Sequence, residues 1–268
     1  MKNIGEIKGE IIVFGGVYSN LQALESLKEY ADARDISSQN IFCTGDVAGY
    51  CAQPEECVQL VKEWGINCIA GNVELQLASG EDDCGCDFDE GSRCDVFSRQ
   101  WYPYAQSKLS EDSINWMKEL PEHISFHYGG KKVVMVHGSY TGTSDFIFKS
   151  TPWEEKERQF KATNADIIIA GHCGLPFTDQ KDSMKWVNAG VIGMPANDGQ
   201  TSVWFIELNE KYDVTPHQME YDHIKTNKLM VENSLPEAYA KTLLSGIWDN
   251  CEILPEAETN LQGKMIHF

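Results

Sequence analysis

The chain has 268 residues and is 42% hydrophobic and 24% charged, which excludes disordered and fibrous classes and leaves enough length to bury a full core. Its 22 Lys and Arg against 41 Asp and Glu give a net charge of −19, a field that repels nucleic acid polymers and anionic membrane surfaces. The longest apolar runs, Ile11–Phe14 and Ile167–Ala170, fall far short of the roughly 18 residues of a membrane span. Residues 1–8 carry no apolar secretory segment, so the expected location is cytoplasmic, and the nine cysteines are expected as reduced thiols, metal ligands or catalytic groups.

In chain order, the first expected strand covers 10–14, followed by a helix with Leu21, Leu24, Leu27 and Ala31 on one face after the cap residue Ser19. A second unit has a strand at 40–44, a loop to Pro54 and a helix carrying Cys57, Val58, Val61 and Trp64; a third strand covers 68–71. Residues 79–92 form a Gly-rich acidic loop, and helices resume at 95–107 and 111–120. Beyond Pro121 the chain reads as strands at 123–128, 132–137, 166–170, 185–188, 202–208 and 215–220, interrupted by a helix at 153–163.

About nine strands with helices on both sides predict an α/β fold, a four-layer αββα sandwich of two mixed sheets flanked by helices. After Asp222 the pattern turns helical, at Ile224, Leu229 and Met230 and then 235–244. The expected organisation is one domain over 1–222, carrying a Cys-rich acidic insert at 79–95, and a C-terminal helical extension over 223–268 packed on it.

Four polar signatures stand at strand ends, where α/β folds place their chemistry: Gly45-Asp46, Gly71-Asn72, His137-Gly138 and Gly171-His172. Their order and spacing resemble the calcineurin-like metallophosphoesterases over roughly residues 10 to 222, as do Gly45-Asp46-Val47-Ala48-Gly49-Tyr50 with Pro54 and Glu55, and the stretch from Val187 to Gly193. In that family two metals about 3.5 to 4 Å apart drive in-line attack on phosphorus. The resemblance implies that Asp46, Asn72, His137 and His172 hold one divalent or trivalent transition metal (Zn, Fe or Mn), with Asn20 and Asn188 as substrate contacts.

The other half of the family pattern is missing. The Asp-x-His motif of the first strand reads Gly16-Val17-Tyr18, and the Gly-His-x-His motif reads Gly171-His172-Cys173-Gly174, so three of the second metal's four ligands are gone. The Gly-Asn-His-Asp/Glu motif, whose histidine acts as general acid, reads Gly71-Asn72-Val73-Glu74, and valine cannot transfer a proton.

Cys84-Gly85-Cys86 and Cys94 fall in the insert, where six of the ten residues 81–90 are acidic. Two thiolates one residue apart can converge on one soft metal with a third nearby, which offers a rebuilt second metal position using Cys84, Cys86, Cys94 or Tyr18. A structural metal, or a solvated loop whose cysteines simply pack, fits the same residues. Two functions follow: a divergent phosphoesterase acting on a small phosphorylated metabolite or nucleotide, with Asp46, Asn72, His137 and Tyr18 as catalytic residues, or a degenerate relative that binds a metal or phosphoryl ligand as a sensor or scaffold. Thiol chemistry at the insert is a third.

Overall fold

The computed structural model describes residues 1–86 and 90–268; Asp87 and Asp89 of the acidic loop lie outside the described residues. The short β-branched runs form two mixed sheets. One has five strands in the order β11-β10-β2-β3-β4, built from β2 (Ile11–Phe14), β3 (Ile41–Cys43), β4 (Asn67–Cys68), β10 (Val203–Leu208) and β11 (Val214–Met219). The other has six in the order β1-β5-β6-β7-β9-β8, from β1 (Lys2–Ile7), β5 (Ile124–Tyr128), β6 (Lys131–Met135), β7 (Ile167–Ala170), β8 (Pro176–Lys181) and β9 (Met184–Ala189).

Strand alternation sets the layers. Ile11 and Val13 of β2 join Val133, Met135, Ile167 and Ile169 in the core between the sheets, where Phe42 stacks on Phe126 at 4.8 Å. Ile12 and Phe14 point the other way, into a core with α1 (Leu21–Ala33), α2 (Pro54–Trp64), α4 (Arg93–Lys108) and α5 (Glu111–Glu119). On the far side, Val134, Ile168 and Trp186 pack against Phe160 of α6 (Trp153–Thr163). Strands covered on both faces read as continuous apolar runs, as in Ile11–Phe14 and Ile167–Ala170. The result is the expected four-layer arrangement.

The two edge strands β1 and β8 depart from the sequence expectation. β1 is mostly exposed and contains Gly5, and β8 opens with a proline and ends in exposed Gln180 and Lys181, so neither shows the alternation that marks a half-buried strand. Helix α3 (Asn72–Ser79) was also not expected; it begins inside the Gly71-Asn72 motif itself. Among the described residues no helix is long and apolar enough to cross a membrane.

Residues beyond Asp222 form α7 (His223–Glu232), α8 (Glu237–Ser245) and the short α9 (Glu256–Thr259). α7 meets α1 through Thr226, whose hydroxyl donates to Asn20 Oδ1 at 3.0 Å, and Tyr239 and Leu243 of α8 enter the same core as α1.

Candidate metal centre

The polar signatures sit just past the carboxyl ends of β3, β4, β6 and β7, two strands from each sheet, so the site straddles the seam between the sheets. Their loops touch closely. A Cβ on Gly71 would lie 2.1 Å from Asp46 Oδ1, and one on Gly45 (φ +96°) 2.4 Å from the Gly71 nitrogen, so these positions admit only glycine. On the opposite side, the backbone N–H groups of Gly171 and His172 both donate to the His137 carbonyl, at 3.0 and 3.1 Å.

A residue that the sequence reading left without a role holds the first pair of loops together. The Glu74 carboxylate, fully buried, accepts from the N–H groups of Asp46 (2.7 Å), Gly71 (2.9 Å), Val47 (2.8 Å) and Ala48 (3.3 Å). It therefore fixes the left-handed backbone of Asp46 (φ 57°) that turns the carboxylate inward. Burial and the nearby Asp46 charge push the Glu74 carboxyl up to about 7, against the pull of these donors.

Around His137 the donor atoms converge. Its Nδ1 lies 2.6 Å from the Thr44 carbonyl, which can only accept, so the ring proton sits on Nδ1 and Nε2 presents a lone pair in the neutral form. That Nε2 faces Asp46 Oδ2 at 3.2 Å, Asn72 Oδ1 at 3.0 Å and His172 Nδ1 at 2.8 Å. Three or four lone pairs directed at one point repel unless a proton or a cation sits among them, and one proton cannot serve all of them. The set fits a borderline metal ion, which prefers imidazole and carboxylate donors.

Electrostatics agree with this geometry. Burial opposes a charge on His137, but the adjacent Asp46 carboxylate outweighs it and raises its pKa; burial would raise Asp46, yet His137 holds it below the ordinary carboxylate range. Burial and His137 lower His172 to about 3, leaving it neutral with a free lone pair. Among the described residues, the group of three or more His, Cys, Asp or Glu whose ligand atoms all lie within 4.8 Å of one another is Asp46, His137 and His172.

Aromatic rings stand at or beside the positions where the family pattern would put its second ligand set. A Cβ on Gly16 would lie 2.5 Å from Cε1 and Cζ of Tyr18, so the tyrosine ring lies over the residue that replaces the aspartate. Tyr18 and Ser19 both adopt left-handed conformations (φ 51° and 59°), held by N–H donation from Val17 and Tyr18 to the Asp46 carbonyl. At the other missing ligand, Gly174, the Trp248 ring stands 3.5 Å from where a Cβ would be. Burial and Asp46 raise the Tyr18 pKa well above that of a free phenol, so Tyr18 faces the site as a hydrogen-bond donor.

Tyr18, Asp46, Val73, Cys86, Phe146, His172 and Trp248 are among the residues lining a narrow cavity of about 80 Å³, and none of its described lining residues is Lys or Arg. Cys94 also lines it, with its sulfur 3.8 Å from Asn250 Oδ1, but belongs to no three-residue ligand group with Cys84 and Cys86 among the described residues. Asn20 and Asn188 are not brought to the cavity. Asn20 caps α1, accepting from Ala23 and donating to the Gly193 carbonyl; Asn188 donates to Cys173 Sγ and accepts from Gly190. Both are buried and committed to these contacts. Sequence reasoning missed Trp248 and Tyr239, which reach the cavity from the C-terminal extension, and no motif marks them.

The class of protein follows from two packed mixed sheets with a buried Asp/His/His cluster at the ends of β3, β6 and β7, taken with a family match. The model of the calcineurin-like phosphoesterase superfamily domain matches residues 10–211, and the chain belongs to that family. It is 24% identical over 256 residues to the uncharacterized protein MJ0912 of Methanocaldococcus jannaschii, covering 90% of this chain and 99% of that one. In three dimensions it is similar to the hypothetical protein PH1004 of Pyrococcus horikoshii (TM-score 0.75, 18% identity, 89% of this chain and 99% of that one). It is likewise similar to a metallophosphoesterase from Sphaerobacter thermophilus (TM-score 0.71, 22% identity, 90% of this chain and all of the other).

Proposed function

We propose that the chain is a phosphoric ester hydrolase with a single metal, in which Asp46, Asn72, His137 and His172 hold one Zn, Fe or Mn ion against a small phosphorylated molecule. The observation that carries this reading is the convergence of lone pairs on His137 Nε2, beside a cavity that Asp46 and His172 reach and that is lined, among its described residues, by no Lys or Arg. An anionic phosphoryl group cannot enter an acidic pocket of a strongly acidic protein without a cation to meet it. The metal ion, when bound, supplies Lewis-acid stabilisation of the charge that develops on the phosphoryl oxygens.

The side chains do the remainder. The Nδ1–H of His137, anchored on Thr44, keeps its ring oriented, and Phe146 packs on His172 with centroids 4.4 Å apart and fixes that ring. Tyr18 donates its phenolic proton in a hydrogen bond to a phosphoryl oxygen. With Val73 where the acid histidine would stand, the leaving group departs without protonation, so esters of acidic alcohols are favoured. The cavity is too small for a whole nucleotide and takes the phosphoryl end, leaving the rest of the substrate at the mouth.

The test compares an aryl with an alkyl phosphate under Zn, Mn and Fe. The expected result is metal-dependent hydrolysis of the aryl ester, with the alkyl ester slower by on the order of 10² or more. Tyr18→Phe should lower kcat by about 10- to 100-fold at unchanged metal content, the loss of one hydrogen bond to developing charge. Hydrolysis that persists in His137→Ala would overturn the reading. A second reading, a binding module, is favoured by Val73 and by the rings at the second ligand set, Tyr18 over Gly16 and Trp248 beside Gly174; full metal content without turnover of any ester would select it.

A further inference from the structure

We infer that Cys84 and Cys86 form a reversible dithiol–disulfide centre, oxidised by small disulfides that enter through the acidic mouth of the molecule. The two sulfurs lie 2.7 Å apart across the single residue Gly85. The turn that brings them together is already built: Gly85 has φ +66°, its N–H donates to Asp83 Oδ1 at 2.7 Å, and a Cβ there would lie 2.6 Å from Gln76 Nε2 of α3. The sulfurs need to approach by only about 0.7 Å to reach bonding distance, and a partner this near favours closure within the pair over bonding to an outside thiol.

The pair can also be reached. Both cysteines are at most 6% exposed, yet they line an outer cavity of about 450 Å³ together with Asp82, Asp83, Glu90, Asp95 and Arg99. A second neighbouring pair, Cys43 and Cys68, is closed to reagents because Cys43 is wholly buried. The chemistry is thiol–disulfide exchange. The Cys84 thiolate attacks one sulfur of the small disulfide, forming a mixed disulfide and releasing one thiol; Cys86 then attacks the Cys84 sulfur, forming the Cys84–Cys86 bond and releasing the second thiol. Two cysteine thiols are oxidised, one disulfide is reduced to two thiols, and the two cysteine protons end on those thiols. Among the described lining residues four carboxylates outnumber one guanidinium, Arg99, which is itself paired with Asp95 at 3.0 Å, so the entrance favours a cationic disulfide over an anionic one.

The centre is wired to the metal ligands through one side chain. Asn72 Nδ2 donates to the Cys84 carbonyl at 2.8 Å and to Cys86 Sγ at 3.0 Å, while its Oδ1 faces His137. Drawing the Cys86 sulfur into a disulfide weakens the contact that orients Asn72. This link, unlike the dithiol itself, rests on the proposed metal site.

The experiment incubates the full-length protein with cystamine, a dicationic disulfide, and in parallel with anionic glutathione disulfide, then alkylates under denaturing conditions and maps the peptides. The expected result is loss of two of the nine thiols as a Cys84–Cys86 disulfide, formed about tenfold faster with cystamine, with the difference shrinking as salt is added. Cys84→Ser should prevent the internal bond, and Cys86→Ser should stop the reaction at a mixed disulfide on Cys84. Free Cys84 and Cys86 after prolonged exposure, or protection of other cysteines first, would overturn the proposal. A fall of about tenfold in metal affinity on oxidation supports the link through Asn72, and an unchanged affinity overturns that link alone.

Discussion

Asp46→Asn is expected to lose its bound metal and at least about 10³-fold in phosphoester hydrolysis while keeping its fold. Asparagine preserves the shape of the side chain and tolerates the left-handed backbone at this position, so the change removes charge with little else. The carboxylate is the one anionic donor in the set of Asp46, Asn72, His137 and His172, and without it two imidazoles and two amides hold a cation weakly. Circular dichroism would report an intact fold, and elemental analysis the missing metal. A variant that keeps both metal and activity would remove Asp46 from the centre.

Glu74→Ala is expected to destabilise the protein by about 3 to 5 kcal/mol, because four backbone N–H groups lose their buried acceptor at once. For a chain of this size that is a fall in Tm of roughly 8 to 15 °C. Glu74→Gln should recover little of it, since one oxygen becomes an NH₂ that meets N–H groups, whichever way the amide turns. Metal affinity should fall as well, the loop that presents Asp46 having lost its anchor. Thermal unfolding and metal titration of the two variants check both points, and a Gln variant as stable as the parent would contradict the four-donor account.

The four strand-end signatures were legible because each places a polar group just after a short apolar run, where the chain leaves a sheet. The two sheets and their helices were legible for the same periodic reason. Edge strands β1 and β8 were not, because a strand with one solvated edge and a Gly or Pro lacks the alternation that identifies its partners. The role of Glu74 was hidden as well: a carboxylate three residues past Gly71 looks like an ordinary first-turn acid until the Asp46 loop is seen to bring three more N–H groups to it. Close approach decides the rest. The sequence records that Gly16 and Gly174 replace ligands, but only the fold reveals the rings of Tyr18 and Trp248 beside them. Asn20 and Asn188 carried the family pattern, and their partners turned out to be a helix terminus and a neighbouring thiol.

Whether this two-metal fold holds a single metal is decided by metal stoichiometry after loading with excess Mn²⁺ and removing unbound ion. Manganese is the suitable probe because it binds oxygen and nitrogen donors and leaves the Cys84–Cys86 thiols unoccupied. One Mn per chain is expected, lost in Asp46→Asn. Two per chain would contradict the loss of the second ligand set at Gly16, Tyr18 and Gly174, and none would contradict the Asp46, Asn72, His137 and His172 centre itself.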